Sequence, residues 1–412
     1  MEKAFHIGNR KNLYTMLENN SLLVLFAGNE LRKSADAFYP FYADRNFLYL
    51  TGIRQKNSIL MAHKRADGTV SEWLYLLPKD LMAERWTGTR LGTEDAEALS
   101  GISDVRSPEQ FQSQFHALSA KCSRVWLDLH RQAPEDIDKC AHVFARRVQQ
   151  LYPGLTISDV NPFVRRLRTI KQPCEIRALR KAAQITREGI LAMMRASRPG
   201  MYEYQYKAEF DYVLGQYGPA EPGFQSIICA GQNNFCIHYD AYTGQARDGD
   251  MILNDVGARW DDLTVDVSRG WPCSGRFTEK QRLLYECALK TSDYLFSIIR
   301  PGMKMADVDG TIRRCNAQLL VDAGVMETTD AVGTYMWHGG AHHIGYDVHD
   351  AIEAPEILAP GMVFCVDVGI YHEEWGIGFR LEDNCLVTES GCENLTAAIP
   401  RTIAEIEAAM AK

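Results

Sequence analysis

Short, nearly continuous apolar runs punctuate the first 160 residues. Ser21-Leu-Leu-Val-Leu-Phe, Ser58-Ile-Leu-Met-Ala, Trp73-Leu-Tyr-Leu-Leu and Val125-Trp-Leu-Asp-Leu are each of strand length. Runs of that length, apolar on both faces, predict buried strands. Apolar positions recur at helical spacing over Pro108–Ala120 and Pro134–Leu151. Strands interleaved with helices predict an α/β domain. The aromatic stretch Phe38-Tyr-Pro-Phe-Tyr42, with Phe47-Leu-Tyr-Leu-Thr-Gly52 after it, is expected in its core. His63, His116, His130 and His142 stand apart from one another, so no catalytic constellation is expected here.

The pattern changes at Asn161-Pro162. A helical segment from about Cys174 to Arg198 follows, closed by Pro199-Gly200. This places a domain boundary near residue 165, giving segments 1–165 and 166–412. In the second, amphipathic helices near 203–216, 278–299 and 305–323 alternate with short strands. Two of its hairpins are unusual. The first runs Met251-Ile-Leu-Asn-Asp255-Val-Gly257, turns at 259–262, and returns as Leu263-Thr-Val-Asp266-Val-Ser. The second runs Met362-Val-Phe-Cys-Val-Asp367-Val-Gly369, turns at 372–376, and returns as Gly378-Phe-Arg380-Leu-Glu382-Asp-Asn. Each arm carries a carboxylate inside an apolar strand, and Asp-Val-Gly in both first arms suggests an internal duplication. A buried carboxylate is costly unless a cation compensates it. One could be structural; four on two similar hairpins demand a common explanation.

Composition narrows the class. With 46% hydrophobic and 24% charged residues the chain is an ordinary globular one. A net charge of −8 argues against nucleic acid or an anionic membrane as partner. The basic run Arg165–Arg187 is interleaved with Ile, Leu and Ala at helical spacing, and reads as a solvated helix face. The 11 cysteines are odd in number and form no Cys-x-x-Cys pair. Those in apolar runs, such as Cys229 and Cys365, read as buried inert thiols. With no signal-peptide pattern and no transmembrane-length apolar run, the expected location is the cytoplasm.

The candidate chemistry centres on His338-Gly-Gly-Ala-His342-His343-Ile-Gly-Tyr-Asp-Val-His349-Asp350, which holds four of the 11 histidines. Taken alone this could be an idle surface loop. Crowded imidazoles repel once charged, so such clusters usually serve a metal or proton transfer. Gly339-Gly340 argues for irregular backbone. Carboxylates with histidine form a hard, oxygen-rich set suited to Mn²⁺, Co²⁺ or Fe²⁺. Four carboxylates overcharge one ion, so two ions, as in dinuclear hydrolases, fit better. Walker A, Gly-x-Gly-x-x-Gly, Gly-x-Ser-x-Gly and His-Glu-x-x-His patterns are absent.

On these residues the chain resembles the M24 metallopeptidases of pita-bread fold, in their Xaa-Pro aminopeptidase (aminopeptidase P) and prolidase branch. The markers are Phe47-Leu-Tyr-Leu-Thr-Gly52 and Glu84-Arg-Trp86-Thr-Gly88-Thr-Arg90-Leu-Gly92 in the first segment. In the second they are Ile237-His238-Tyr239, Asp255-Val-Gly257, Asp266-Val-Ser-Arg269, the His338 cluster, Pro360-Gly-Met-Val and Gly378-Phe-Arg380-Leu-Glu382-Asp383. The resemblance implies an α/β (α+β) chain: a creatinase-like α/β domain over 1–165, then a catalytic domain over 166–412 with internal pseudo-two-fold duplication. It implies two divalent ions, Mn²⁺ first among Co²⁺, Zn²⁺ and Fe²⁺, with a bridging hydroxide. Asp255 would hold one ion, Asp266 and Glu382 would bridge both, and His342 and Asp367 would complete the second. His238 and His349 would act on the scissile carbonyl and tetrahedral intermediate. His338 would stand on the substrate side and Arg380 would orient a ligand carboxylate; His343 has no implied role. The substrates would be peptides with proline in second position, and the chain would form a homo-oligomer, dimer or tetramer. Rival readings are a dipeptide-restricted prolidase, a metal-free binding protein and a creatinase-like hydrolase. The sequence departs from the family at Asp367 (usually Glu), Val368 (Pro), Leu263 (Tyr) and Ala341 (Ser).

Overall fold

The structure is a computed structural model that describes residues 1–350 and 357–411. The chain divides into two units, Met1–Arg168 and Thr169–Lys412.

In the first unit the apolar runs form the middle of a six-stranded mixed sheet. Its strands are β1 (Ser21–Phe26), β2 (Ile59–Lys64), β3 (Val70–Tyr75), β4 (Val105–Arg106), β5 (Arg124–Leu127) and β6 (Thr156–Asp159), in the order β4-β3-β2-β1-β5-β6. Inward side chains Leu22, Val24, Met61, Val125 and Leu127 meet Phe111, Phe115 and Phe144 from two helices. The helix Arg45–Thr51 starts where Asp44 accepts the amides of Asn46 and Phe47, and it ends at Gly52, whose φ of 71° suits glycine.

Two expectations for this unit are corrected. The segment 38–42 is not core: Phe38, Tyr39 and Tyr42 are exposed, while Phe47 and Tyr49 are buried. Guanidinium groups cover the rings instead, Arg32 over Phe38 at 4.7 Å and Arg45 over Tyr42 at 5.2 Å. The helix expected from Pro134 begins at Cys140. Asp136 accepts the amides of Gln132 and Ala133, which folds the preceding residues into a local turn.

The second unit begins with the 24-residue helix Pro173–Ala196, entered through proline at its first turn and a reciprocal Gln172–Glu175 cap. Helices Glu203–Gln216, Glu279–Ile298 and Met305–Asp322 follow. The unit's longest strands lie in two three-stranded antiparallel sheets. One joins β7 (Ile227–Ala230), β8 (Met251–Val256) and β9 (Val267–Pro272); the other joins β10 (Val363–His372), β11 (Ile377–Val387) and β12 (Cys392–Asn394). β8 and β9 pack against β11, which brings the two hairpins face to face.

The second hairpin forms as expected, closed at Gly376 with φ 65°. The first is split. After Val256 the chain leaves β8, and Ala258–Trp260 pairs with Glu221–Pro222 and Leu263–Thr264. Asp261 and Asp262 make the tip, both at positive φ. Asp266 therefore lies at the break before β9 and not inside a strand. The repeated Asp-Val-Gly also acquires a reason. A Cβ on Gly257 would sit 1.8 Å from the Val265 carbonyl oxygen, and one on Gly369 would sit 2.4 Å from His338 Nε2. Two residues after each aspartate the backbone must stay bare.

Candidate metal centre

Antiparallel register sets Asp367 of β10 directly opposite Glu382 of β11. Asp255 lies on β8, opposite Ser268 of β9. Asn384 of β11 holds the Asp266 backbone from both sides: its Oδ1 accepts the Asp266 N–H at 3.1 Å, and its amide donates to the Asp266 carbonyl. All four carboxylates converge and are buried, with 2–9% of their surface exposed.

The histidine segment is irregular, as its glycines predicted, yet it is not loose. It runs beside β10, with Asp367 N–H donating to Gly340 and Cys365 N–H donating to His342, both at 2.8 Å. Gly340 is tightly packed, since a Cβ there would sit 2.8 Å from the Asp367 carbonyl oxygen. His342 is thereby delivered to the carboxylates, its Nε2 at 3.5 Å from both Asp266 Oδ2 and Glu382 Oε1. His349 stacks edge-on against His342 with centroids 4.4 Å apart. His238 and His349 are exposed at the rim of a cleft of about 400 Å³ whose lining includes all nine candidate site residues. His343 turns away from the group, its ring beside Phe364.

Two residues that sequence reasoning passed over complete the polar lattice. Arg380 donates to Asp255 at 2.9 Å and to the Tyr371 hydroxyl at 3.0 Å. Arginine can only donate, so Tyr371 gives its own proton to His338 Nε2 at 3.0 Å. That leaves His338 Nδ1–H facing Gly339 O at 2.8 Å and Asp367 Oδ2 at 3.3 Å. Ser268 Oγ donates to Glu382 at 2.9 Å and accepts from Arg380. Tyr371 stands four residues after Asp367 on β10, so strand alternation was its signal; Ser268 lies opposite Asp255 across the β8–β9 ladder. Tyr371 also stacks flat on Trp337 at 4.6 Å.

The charges do not balance. Arg380 meets one carboxylate, and Oδ1 of Asp255, Asp266 and Asp367 have no hydrogen-bond partner. Burial, then the neighbouring Glu382, pushes the Asp266 and Asp367 carboxyls well above their usual range. Burial would raise Glu382 too, but the hydrogen bond and charge of His342 override it and hold it near about 2. Burial likewise opposes charge on His342, and Glu382 outweighs it, moving the imidazole up. His338 and His349 are moved down, mainly by burial. Orphaned, crowded carboxylates beside an imidazole are what a divalent cation relieves. Asp266, His342, Glu382 and also Cys365 bring one donor atom each within 4.8 Å of one another. Cys365, two residues before Asp367, is buried as expected and shares the face that looks into the site.

Comparison with known proteins identifies the family of the chain. Residues 177–389 match metallopeptidase family M24. The chain belongs to that family. Residues 6–126 match the aminopeptidase P N-terminal domain. The chain is 31% identical to the Xaa-Pro aminopeptidase of Escherichia coli, over 97% of this chain and 96% of that one. It is 29% identical to human Xaa-Pro aminopeptidase 3, covering 91% of this chain and 78% of the relative. The structure of E. coli aminopeptidase P with the inhibitor Pro-Leu superposes with a TM-score of 0.91 at 29% identity, covering 100% and 98%. A zinc-substituted form of that enzyme, with product, matches equally. This M24 chain is a hydrolase of the divalent-metal class, with a mixed α/β fold in both units. Among the described residues no helix is long and apolar enough to cross a membrane.

Proposed function

We propose that this M24 chain is a metal-dependent exopeptidase that hydrolyses the Xaa-Pro bond at the N-terminus of peptides. Two divalent ions, Mn²⁺ foremost, would be held by Asp255, Asp266, His342, Asp367 and Glu382. The observation that carries this is the set of buried carboxylate oxygens on Asp255, Asp266 and Asp367 that no protein group satisfies. When bound, such ions polarise a carbonyl and lower the pKa of water.

The protein's own residues do the rest. Arg380 and Ser268 fix the Asp255 and Glu382 carboxylates, so the donors are oriented before an ion arrives. His338, its tautomer set through Tyr371, points Nδ1–H at Asp367. Partial burial of its ring, then His342, moves the His349 pKa down, and at the cleft rim its imidazole can donate or accept a proton. With His238 it faces the space where a peptide carbonyl would lie, the place for stabilising a developing oxyanion. The preference for proline rests on the likeness to Xaa-Pro aminopeptidases. Self-association as dimer or tetramer is expected on the same ground. Location in the reducing cytoplasm is supported by 11 cysteines that are all free.

The test is product analysis on Xaa-Pro tripeptides, Xaa-Pro dipeptides and matched peptides with alanine second, all with Mn²⁺. Release of the first residue from the Xaa-Pro tripeptide, faster than from its alanine counterpart, is the expected result. Cleavage confined to dipeptides would make the chain a prolidase, and no cleavage would remove the reading.

A further inference from the structure

Cys365 stands beside the carboxylates and not only in the apolar core. Its side chain is fully buried, and its sulfur lies with donor atoms of Asp266, His342 and Glu382 inside 4.8 Å. The face follows from the strand: Cys365 and Asp367 are two apart on β10, opposite Asn384 and Glu382 on β11. Independently of the cysteine, Asp266 is 3% exposed and its Oδ1, aimed into the same corner, has no hydrogen-bond partner.

The sulfur sits among polar groups, and its S–H donates to Glu382. Burial, then the Glu382 and Asp266 carboxylates, pushes the thiol well above its usual range, and a bound cation would displace that proton. Asn384 Nδ2 donates to Cys365 Sγ at 3.5 Å. That orientation of the amide is forced, because Asn384 Oδ1 must accept the Asp266 N–H. An amide donor aimed at sulfur supports a coordinating thiolate. Thiolate donors favour zinc, whereas carboxylates suit manganese.

We propose that Cys365 Sγ is a metal ligand in the corner formed by Asp266, His342 and Glu382. That corner then has a mixed sulfur, nitrogen and oxygen shell that raises its affinity for Zn²⁺ or Co²⁺ relative to Mn²⁺ without excluding Mn²⁺. The position at Asp255 has oxygen donors only and keeps the preference for Mn²⁺, so the two corners discriminate between ions. On binding, the S–H bond is exchanged for a sulfur–metal bond and the proton leaves to solvent. The inference rests on the metal reading above.

The experiment is optical and needs no turnover. The protein is loaded with Co²⁺ and scanned in the near ultraviolet for a thiolate-to-cobalt charge-transfer band. Zn²⁺ and Mn²⁺ affinities are measured beside it. The wild type should show the band, Cys365→Ser should lose it, and the zinc-to-manganese affinity ratio should fall about 10–100-fold. Cys236→Ser, which removes the exposed cysteine, should keep the band. X-ray absorption on the zinc-loaded wild type should show sulfur at ~2.3 Å, which decides the matter even if the serine variant misfolds. Bound Zn²⁺ or Co²⁺ with only nitrogen and oxygen neighbours would overturn this inference and leave the metal reading intact. A protein that binds no divalent ion would overturn both.

Discussion

Arg380→Gln isolates the electrostatic logic of the centre. Arg380 is 3% exposed, and it is the cation that touches Asp255, at 2.9 Å; it also donates to Tyr371 and to Ser268. Glutamine keeps most of the stem and some hydrogen bonding but removes the charge. Removing one partner of a buried ion pair costs about 3–5 kcal/mol, because the other charge stays behind uncompensated. For a unit of this size each kcal/mol lowers Tm by about 2–4 °C, so the metal-free variant should melt about 6–20 °C below the metal-free wild type. A divalent ion on Asp255 replaces the missing charge. With saturating Mn²⁺ the gap should therefore shrink to about half or less. The assay is calorimetry or thermal circular dichroism on stripped and reloaded protein, wild type against variant. An equal gap with and without metal would show that Arg380 does not stand in for a cation at Asp255. So would a gap below ~2 °C in the stripped protein.

Other outcomes follow from the same geometry. Asp367→Ala should weaken metal binding at the corner it shares with Glu382 by about 10–100-fold and lose most Xaa-Pro cleavage, with calorimetric titration reading the first. If Asp367→Ala matched wild type in both, Asp367 would be no ligand; Asp367→Glu beside it tests whether the shorter side chain limits affinity. His238→Ala and His349→Ala change groups at the cleft rim, so metal content should hold while the rate drops on the order of 10²-fold. Loss of metal in either would place that histidine among the ligands instead. In the metal-free protein Asp266, Asp367 and His342 should lose their stabilising contribution as pH rises. His338 and His349, whose pKa values are lowered, gain theirs toward neutral pH, so the test compares loaded with stripped protein. Asp266, Asp367 and His342 all have folded pKa values raised above their unfolded ones, so their contribution is present in acid and lost as each ionises or deprotonates. Glu382, held near about 2, titrates below that window and leaves the trend unchanged. The Tm difference between loaded and stripped protein should widen from about pH 5 to about pH 8, and a constant difference would contradict the crowding argument.

Much of the site was legible in the sequence because burying a carboxylate is costly enough to leave a mark. Asp367 and Glu382 were conspicuous as charges inside apolar strands, and the closure of their hairpin fixed the register that pairs them. The glycines around His342 announced irregular backbone, and the segment has neither helix nor regular strand. What could not be read was pairing decided at long range. The first hairpin looked continuous, yet Ala258 leaves it to pair with Pro222, which puts Asp266 at a break held by Asn384, 118 residues away. Cys365 was visible at alternation distance from Asp367, but an apolar run reads the same whether its inner face meets oil or carboxylates. The aromatic rings at 38–42 misled for a related reason. Hydrophobicity does not reveal that an arginine will cover a ring and leave it at the surface.

The central claim, that unsatisfied buried carboxylates make a two-ion hydrolytic centre, is tested most directly by elemental analysis paired with Xaa-Pro tripeptide cleavage on one preparation. Samples are taken as purified, after chelation, and after return of Mn²⁺. The account predicts about two divalent ions per chain, loss of cleavage as they are removed, and recovery as they return. Full cleavage by protein shown to hold no metal would contradict it.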